Sequence, residues 1–566
     1  MTRFHVGKLA ACVCVLPLAL GIGDAARAAE APNAFKGLVP AQSTRNDAEK
    51  VLGAPADGMR RGGSDWYPVA GCEGVTDRLY FGGDGDKFLG VTAGSTDLRY
   101  ATRDKIIAKL GQPEAQVRFQ TQAFLDYSEK GLRFLCDASG KTTGAIYFPA
   151  GRRRVPAGYP NRFDLRRKAA PDKPADLPAD FRAGAAQISI APQRFDDITA
   201  DAKEQPYHLH EDLLARVAIF QRGQHKIVLI GADVFGMAPW DLKTLRQNLA
   251  QRGFPHVVFA MSHTHANVDT IGFYGYYPKA YAQHIVQQTQ RAVVQAAENM
   301  KPVRALKTGF VEMPLAGGRV VDLVRNGRDA GLVDPAVSLI QAIGSDGQPI
   351  VNVIHLACHP EIIKLTDKRG LSPDFVGTLC NEVRKQLGGQ PVFLNGALGG
   401  MLTPDAPVRG YESAAAMGKG FARFVVEAAR AAKPASGYDL WLQRRPVVYP
   451  LTADAVVKFM KNAPGPVDVD QGRFQTEMNV LWIGDAQIIT VPGELLPAIR
   501  FEIMAQMTGR LRLIVGLAND EIGYLIPSYD FRAGHYEERT GPGAAGGEIT
   551  RSVGLELAPL RPPPSP

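Results

Sequence analysis

Two histidines follow a short apolar run and could do chemistry together. Residues 257–260 read Val-Val-Phe-Ala, which is typical of a strand, and His263 and His265 come soon after them. Side chains two positions apart on an extended chain face the same side, so both imidazoles can point at one ion or at one substrate. Imidazole is a common metal ligand and a common general base. The spacing alone leaves a metal site and a structural pair both open.

Further side chains of the same chemical kind stand at the ends of predicted strands. His359 follows a strand and precedes a proline, and Glu494 follows a strand that breaks at Pro-Gly. Taken singly, His359 could be structural, and Glu494 could cap the helix predicted after it. A glutamate in such a position is rarely buried without a partner. Tyr524 and Tyr536 follow later, and tyrosines by themselves usually indicate packing.

The elements that must position these residues alternate between strand and helix. Apolar runs of strand length lie at 227–230, 257–260, 351–354, 392–394, 486–491 and 511–516. Helical periodicity occurs between them, as at 281–300 and 374–387. This alternation predicts an α/β fold with buried strands, and ligand sites in such folds collect at strand ends. We predict a large mixed-sheet catalytic domain flanked by helices over 181–545.

The chain before this domain contains a weak internal repeat. Thr44 begins a segment that stops at Gly53, and Thr102 begins a matching segment that stops at Gly111. Each segment predicts a helix that begins at a capping threonine and ends at glycine followed by proline, with strand-like sequence after it. We predict a small α+β two-repeat domain over 30–149 with an accessory or docking role.

The remaining segments are an export signal, a linker and a C-terminal tail. Residues 1–28 have a basic start, an apolar stretch and an Ala-x-Ala site, which indicates a secretory signal peptide. The mature protein is therefore expected in the periplasm or outside the cell. A Pro- and Arg-rich linker is predicted at 150–180, and a Pro-rich tail at 546–566.

Four cysteines lie beyond the signal segment, and an oxidising compartment favours disulfides between them. We expect Cys72 to pair with Cys136 in the N-terminal domain. Cys358 and Cys380 could form a second pair or stay as buried thiols. No Cys-x-x-Cys spacing indicates a thiolate metal site.

Composition limits the classes of partner. The 566 residues have a formal charge of +8, which is mild for this length and permits peripheral contact with an anionic membrane or micelle surface. No basic cluster is interleaved with aromatic residues, so no nucleic-acid partner is expected. The absence of a Gly-x-Ser-x-Gly motif disfavours a serine hydrolase.

Taken together and in order, the motifs resemble the neutral, non-lysosomal ceramidases. His-Thr-His after a strand, a strand-end histidine, Val-Pro-Gly-Glu at 491–494 and Gly-Leu-x-Asn-x-x-x-Gly-Tyr at 516–524 carry the resemblance. Shorter matches at 184–188, 231–233 and 371–374 support it. The resemblance covers roughly 181–540 and implies a zinc-dependent hydrolase of linear amide bonds.

The resemblance also implies roles for individual residues. The implied ligands of one zinc ion are His263, His359, Glu494 and Tyr524. The implied reaction residues are His265 as the acid–base group, Arg325 as a substrate-binding group, Thr403 at the position of an active-site serine, and Tyr536 near the developing oxyanion. Two imidazoles and a carboxylate suit zinc, which activates water near neutral pH.

Departures from the family pattern concern the substrate. The turn at 266–269 replaces a Gly- and Pro-rich turn, Thr403 adds a methyl group, and the family's C-terminal β-sandwich is not found after Tyr536. The expected substrate is ceramide or a related N-acyl lipid or amide. The alternatives are a metallohydrolase of the same fold that acts on another ester, amide or sugar, and a non-catalytic envelope binding protein. The N-terminal repeats could recruit a protein partner that the sequence does not identify.

Overall fold

The structure is a computed structural model that describes most of the chain. The described residues are 31–56, 59–61, 64–68, 76–82, 86–93, 100–151, 162–167, 175–199, 206–316, 318–329, 331–364, 366–450, 452, 469–470 and 472–563. The predicted signal peptide at 1–28 and much of the predicted linker lie outside them. The chain divides into two compact units, Met1–Asp164 with Pro314–Val321, and Leu165–Met313 with Asp322–Pro566.

The smaller unit is built on one nine-stranded sheet. Its strands are β1 (Arg60–Arg61), β2 (Ser64–Pro68), β3 (Thr76–Gly82), β4 (Lys87–Ala93), β5 (Ala115–Arg118), β6 (Gln122–Tyr127), β7 (Leu132–Asp137), β8 (Thr142–Tyr147) and β9 (Arg162–Asp164). Their order across the sheet is β1-β2-β3-β4-β8-β7-β6-β5-β9. Two helices, α1 (Arg45–Leu52) and α2 (Arg103–Leu110), belong to the same unit, and residues from the helices and the sheet share one hydrophobic core.

The two helices confirm the repeat predicted from the sequence. The Thr44 hydroxyl accepts the N–H of Asp47 at the start of α1, and the Thr102 hydroxyl does the same for Lys105 at the start of α2. Each helix ends at a glycine with positive φ. In both repeats a strand tyrosine donates its hydroxyl to the carbonyl of that glycine, at 3.2 Å in the first repeat and 2.8 Å in the second. The two segments that resemble each other in sequence therefore also share the same local structure.

The cysteine prediction needs a correction. Cys136, Cys358 and Cys380 are buried free thiols, and Cys72 lies outside the described residues. The expected Cys72–Cys136 disulfide is therefore not formed in this structure. Cys136 sits on β7, where its side chain is part of the hydrophobic core, and burial raises the pKa of its thiol to about 11.

The larger unit contains two main sheets. Its strands are β10 (Arg182–Ser189), β11 (His208–Leu209), β12 (Leu214–Arg222), β13 (His225–Ala232), β14 (Val257–Met261), β15 (Lys301–Glu312), β16 (Val324–Asn326), β17 (Ala336–Gly344), β18 (Pro349–Leu356), β19 (Gly370–Leu371), β20 (Gln390–Asn395), β21 (Leu402–Pro404), β22 (Lys433–Pro434), β23 (Asp439–Pro450), β24 (Val469–Asp470), β25 (Arg473–Gly484), β26 (Ala486–Thr490), β27 (Glu494–Leu495), β28 (Leu511–Val515) and β29 (Tyr524–Leu525). The first sheet has the order β14-β13-β12-β10-β15-β17-β18-β20, with β22 beside β15, and the second has the order β23-β25-β26-β28, with β24 beside β25.

Helices cover these sheets. They are α3 (Pro239–Gln251), α4 (Lys279–Glu298), α5 (Phe375–Leu387), α6 (Tyr411–Ala431), α7 (Pro497–Gln506), α8 (Tyr536–Arg539) and α9 (Gly546–Leu557). Helix α4 packs on β10 and β12, and α6 packs on β15 and β17, while α7 and α9 contact strands of the second sheet. Both sheets contribute to one hydrophobic core, so the unit is layered as helices, sheet, sheet, helices. The predicted α/β fold with mixed sheets is confirmed.

The segment after residue 545 departs from the prediction of a Pro-rich tail. Residues Gly546–Leu557 form helix α9, because the prolines of this segment come only after it. A Cβ at Gly554 would lie 2.3 Å from Ile503 Cδ1, so the glycine allows α9 to approach α7 closely. Within the described part of the chain, no helix is long and apolar enough to span a membrane.

Candidate metal centre

Three pairs of parallel strands position the residues of the candidate site. Strand β14 runs parallel to β13, β18 to β20, and β26 to β28. His263 and His265 follow β14, His359 follows β18, and Glu494 follows β26. Loops at the carboxyl ends of such strands commonly form ligand sites. Chemistry-bearing residues that are far apart in sequence thereby meet in one buried cluster.

The backbone holds two of the imidazoles in a defined orientation. His263 Nδ1 lies 2.7 Å from the carbonyl oxygen of Phe235, and His359 Nδ1 lies 3.0 Å from that of Leu402. Because a carbonyl only accepts hydrogen bonds, each Nδ1 carries a proton that it donates. His263 also stacks on the Phe235 ring and has φ +66°, a strained backbone region for a non-glycine residue. Both rings are held with Nε2 as the atom available to a ligand.

Glu494 places a carboxylate between these two Nε2 atoms. Its Oε2 lies 2.8 Å from His359 Nε2 and 3.7 Å from His263 Nε2. Burial alone would raise the pKa of Glu494, but the two histidines outweigh burial and lower it. Burial also disfavours a charged His359, yet its hydrogen bond to Glu494 raises the pKa of this imidazole. Burial lowers the pKa of His263, so the pKa values of the two rings are shifted in opposite directions.

This arrangement fits a bound cation. His359 faces a carbonyl oxygen with Nδ1 and a carboxylate oxygen with Nε2, so a proton or a metal ion must lie on the carboxylate side. A metal ion that replaces this proton would use the Nε2 lone pairs and the carboxylate together. Backbone carbonyls on the distal nitrogens are the support that metal-binding histidines commonly have. The donor set of nitrogen and oxygen atoms suits zinc among other divalent ions.

Tyr524 lies beside the same carboxylate. Strands β27 and β29 pair in parallel with Glu494 opposite Tyr524, and the tyrosine hydroxyl forms a hydrogen bond with Glu494. The same hydroxyl lies 3.4 Å from Met401 Sδ. Burial, followed by the charge of Glu494, raises the pKa of Tyr524 well above its usual value. Without a cation Tyr524 is a neutral phenol.

His265 is the third imidazole of the cluster. The ligand nitrogens of His263, His265 and His359 all lie within 4.8 Å of one another, so three histidines form a second possible metal-binding set. The Nε2 atom of His265 is buried and has no hydrogen-bond partner among the described residues. Burial, and then the neighbouring imidazoles, lower its pKa well below the usual value. His265 is thus a neutral imidazole with an available nitrogen.

Arg325 and Thr403 lie opposite each other on the β16–β21 pair. The Thr403 hydroxyl donates to Glu361, and Arg325 Nε is buried without a hydrogen-bond partner among the described residues. The structure therefore joins Thr403 to a carboxylate that the sequence analysis missed. Glu361 stands two positions after His359, so the string His-Pro-Glu was the available signal.

Tyr536 lies at the exposed edge of the candidate site, beside Tyr524. Its side chain is 48% exposed, its ring centre lies 6.0 Å from that of Tyr524, and its hydroxyl lies 3.5 Å from the hydroxyl of Tyr274. Tyr274 was also missed by the sequence analysis. It belongs to an aromatic turn that the carboxylate of Asp269 organises by accepting three backbone N–H groups. The signal for this turn was the run of aromatic residues and glycines at 272–277.

Comparison with solved structures identifies the fold. A crystal structure of neutral ceramidase from Pseudomonas aeruginosa matches with a TM-score of 0.55 at 16% sequence identity, over 68% of this chain and 74% of that one. The fold is that of neutral ceramidase. A structure described as a ceramidase complexed with C2 matches with a TM-score of 0.55 at 14% identity, over 68% of this chain and 75% of that one. No protein-family model and no curated protein matches the chain.

The comparison supports the resemblance drawn from the motifs at the level of the fold. It does not test the individual roles assigned to the eight site residues, which stay predictions. The structure brings together His263, His265, His359, Glu494 and Tyr524. Arg325 and Thr403 pair on neighbouring strands, and Tyr536 lies at the rim near Tyr274.

Proposed function

We propose that this protein is a zinc-dependent hydrolase that cleaves the N-acyl bond of ceramide or of a related N-acyl lipid or amide. The observation that supports the proposal most directly is the convergence of His263 Nε2 and His359 Nε2 on one oxygen of Glu494. The fold shared with neutral ceramidase supports the same reaction class.

His263, His359 and Glu494 would hold the metal, with Tyr524 as the fourth group. A zinc ion bound there supplies Lewis acidity, which polarises the scissile carbonyl and makes water a stronger acid. The geometry of Glu494 favours this set over the three-histidine set, because its Oε2 already lies between the two Nε2 atoms. This choice leaves His265 free for proton transfer.

His265 would move the proton of the reaction. Its imidazole is neutral, and its Nε2, which is buried without a hydrogen-bond partner among the described residues, can accept a proton from the attacking water. The same nitrogen can return the proton to the leaving amine when the carbon–nitrogen bond breaks. One water is consumed, and a carboxylic acid and an amine are released.

Arg325 and Tyr536 would bind the substrate and stabilise negative charge. Arg325 carries donors that no described residue satisfies at Nε, and Tyr536 presents a hydroxyl at the rim. Loss of one donor to an oxyanion typically costs ~3–4 kcal/mol of transition-state stabilisation. Thr403 carries the hydroxyl at the position of the family's serine, and this hydroxyl donates a hydrogen bond to Glu361.

The first experiment is the metal content of the purified protein, measured by mass spectrometry beside the variant His263→Ala. We expect about one zinc per chain in the wild type and loss of zinc in the variant. His225→Ala is the matched control, because His225 is exposed at the start of β13. Zinc bound equally by wild type and His263→Ala would contradict the proposed site.

The second experiment measures fatty-acid release from a short-chain ceramide and from simple N-acyl amides. Hydrolysis that depends on zinc and on His265 supports the proposal. A zinc-loaded protein that releases no fatty acid from any of these amides would contradict the proposed hydrolase and favour a non-catalytic binding protein.

We also propose that the protein acts in the periplasm or outside the cell, since residues 1–28 have the pattern of a secretory signal. Sequencing the N-terminus of the native protein tests this proposal. A mature chain that begins near Ala29 supports export, and an intact Met1 contradicts it.

A further inference from the structure

Two tyrosines from distant parts of the chain meet beside the candidate metal centre. On one side, His263 stacks on Phe235 with ring centres 4.8 Å apart, and the Phe235 ring centre lies 6.1 Å from that of Tyr274. On the other side, the ring centres of Tyr524 and Tyr536 lie 6.0 Å apart. These separations are in the range of aromatic pairs that pack together. Tyr274 and Tyr536 therefore bring two phenol hydroxyls together at the exposed edge of the cluster.

The spacing of these two hydroxyls suits a third oxygen between them. The hydroxyl oxygens of Tyr274 and Tyr536 are 3.5 Å apart, whereas a good O–H···O hydrogen bond spans ~2.5–3.0 Å. An oxygen atom of a ligand that lies between them can accept from both at the ordinary length. Burial is the main cause that raises the pKa of both phenols, and the charge of Glu494 adds to it. Each phenol therefore keeps one O–H at neutral pH, and their mutual contact uses at most one of the two protons.

The backbone of Tyr274 is held in place, although 64% of its side chain is exposed. The carboxylate of Asp269 accepts the backbone N–H of Tyr274 at 2.8 Å, together with two further N–H groups of the same turn. At the far end of the turn, the hydroxyl of Tyr277 donates to Asp241 of helix α3 at 2.5 Å. Hydrogen bonds therefore fix the turn on both sides of Tyr274.

Tyr536 is held from the opposite side. It is the first residue of helix α8, and the next two residues, Glu537 and Glu538, bond to the guanidinium of Arg328 at 2.5 and 2.6 Å. The Arg328 side chain is 6% exposed, and its Nη2 also donates to the backbone carbonyl of Asp530 at 2.5 Å. Such charge-assisted hydrogen bonds are short and strong. Two separate supports thus hold the two phenols side by side, which is the preorganisation that a pair of donors needs.

We propose that Tyr274 is a second substrate-binding phenol of this site, and that Tyr274 and Tyr536 together hold one oxygen of the scissile acyl group. The proposal rests on the proposed amide hydrolysis and adds a residue to which the family resemblance assigns no role. Both phenols donate hydrogen bonds that strengthen as the acyl carbon becomes tetrahedral and its oxygen gains negative charge. Neither phenol loses its proton or forms a covalent bond in this role.

The first test removes one hydroxyl and follows fatty-acid release from a short-chain ceramide by the zinc-loaded full chain. Tyr274→Phe should lower kcat about tenfold or more and change KM less than about twofold, because the hydroxyl acts mainly on the charged oxygen of the transition state. Tyr276→Phe is the matched control and should keep the wild-type kcat. Tyr276 lies in the same turn, but its hydroxyl donates to the backbone carbonyl of Asp197 at 3.4 Å. An unchanged kcat in Tyr274→Phe would contradict the proposal.

The second test measures binding and needs no turnover. Its probes are octylphosphonate, whose tetrahedral oxygens resemble the acyl carbon after attack by water, and octanethiol, which has the same chain and no oxygen. The Kd of each probe is measured by calorimetry with the zinc-loaded full chain. Tyr274→Phe should weaken octylphosphonate about tenfold or more, as expected for one lost hydrogen bond to a charged oxygen, and should leave octanethiol unchanged. Zinc content and circular dichroism of each variant are compared with the wild type.

The two proposals fail in distinguishable ways. The role of Tyr274 would be overturned if octylphosphonate does not bind the wild type, if it binds Tyr274→Phe equally well, or if octanethiol loses affinity to the same extent. The amide hydrolase would still stand in these cases if fatty acid is released. Octylphosphonate binding that depends on Tyr274, together with no fatty-acid release from any amide, would support the phenol pair as an oxygen-binding site and contradict the hydrolase.

Discussion

Asp520 is a buried acid whose protonation should make the stability of the larger unit depend on pH. Its side chain is 4% exposed, and its Oδ1 accepts the backbone N–H of Glu521 at 2.9 Å. Burial raises its pKa from 3.8 to about 7, although a hydrogen bond from Thr476 opposes the rise. The folded protein therefore keeps a proton on Asp520 in a range of pH where the unfolded chain has lost it.

The sign and size of the effect follow from this difference. Between pH 3.8 and about 7 the folded state binds more protons at Asp520 than the unfolded state does, so this residue makes the protein less stable as pH rises. From pH 5 to pH 7 the difference between the two states falls from nearly one proton to about half a proton. At ~1.36 kcal/mol per proton and pH unit, the free energy of unfolding should fall by about 2.3 kcal/mol. Above pH 7 little further change is expected from this group.

Asp520→Asn removes the titration and keeps the shape of the protonated acid. The free energy of unfolding, measured by urea denaturation of both proteins, should shift in favour of the variant by about 2.7 kcal/mol between pH 5 and pH 8. Asp196→Asn is the control, since the Asp196 side chain is 86% exposed. A difference between wild type and Asp520→Asn that is the same at pH 5 and pH 8 would refute the reasoning.

Three further predictions test the structure around the site. Arg216→Met should lower the free energy of unfolding by ~3–5 kcal/mol, because it leaves the buried carboxylate of Asp233 without its cation. The double variant Arg216→Met/Asp233→Leu should regain much of this free energy, because it removes the buried carboxylate as well. Gly523→Ala should lower it by at least ~3 kcal/mol in the same denaturation assay, because φ is +81° and the new Cβ would lie 1.6 Å from the carbonyl oxygen of Thr540. Tyr536→Phe should lower kcat about 100-fold without changing zinc content. An unchanged kcat would exclude the hydroxyl from the reaction.

Much of the fold was predictable because its signals are local. The apolar runs at 227–230, 257–260, 351–354 and 392–394 lie within β13, β14, β18 and β20. The threonine caps of α1 and α2 were read correctly, because a hydroxyl three residues from its N–H partner is a property of sequence spacing. Helix α9 was missed, because prolines near the end of the chain suggested a tail.

The candidate site was predictable in part. His263, His265, His359 and Glu494 were found because each follows a strand pattern at a characteristic break, and the order of the motifs resembled one family. Glu361 and Tyr274 were not found. Each stands in a loop without a periodic pattern, and its importance depends on which side chain faces it in space.

The sequence by itself determined which segments form the central strands and the two capped helices, and which strands finish in a histidine or a carboxylate. These features depend on side-chain periodicity and on hydrogen bonds between near neighbours in the chain. Only the tertiary structure decided that Glu494 Oε2 lies 2.8 Å from His359 Nε2. It also decided that the Thr403 hydroxyl donates to Glu361. The physical reason is that charges interact through space over a few ångströms, while the pairing of distant strands sets those distances.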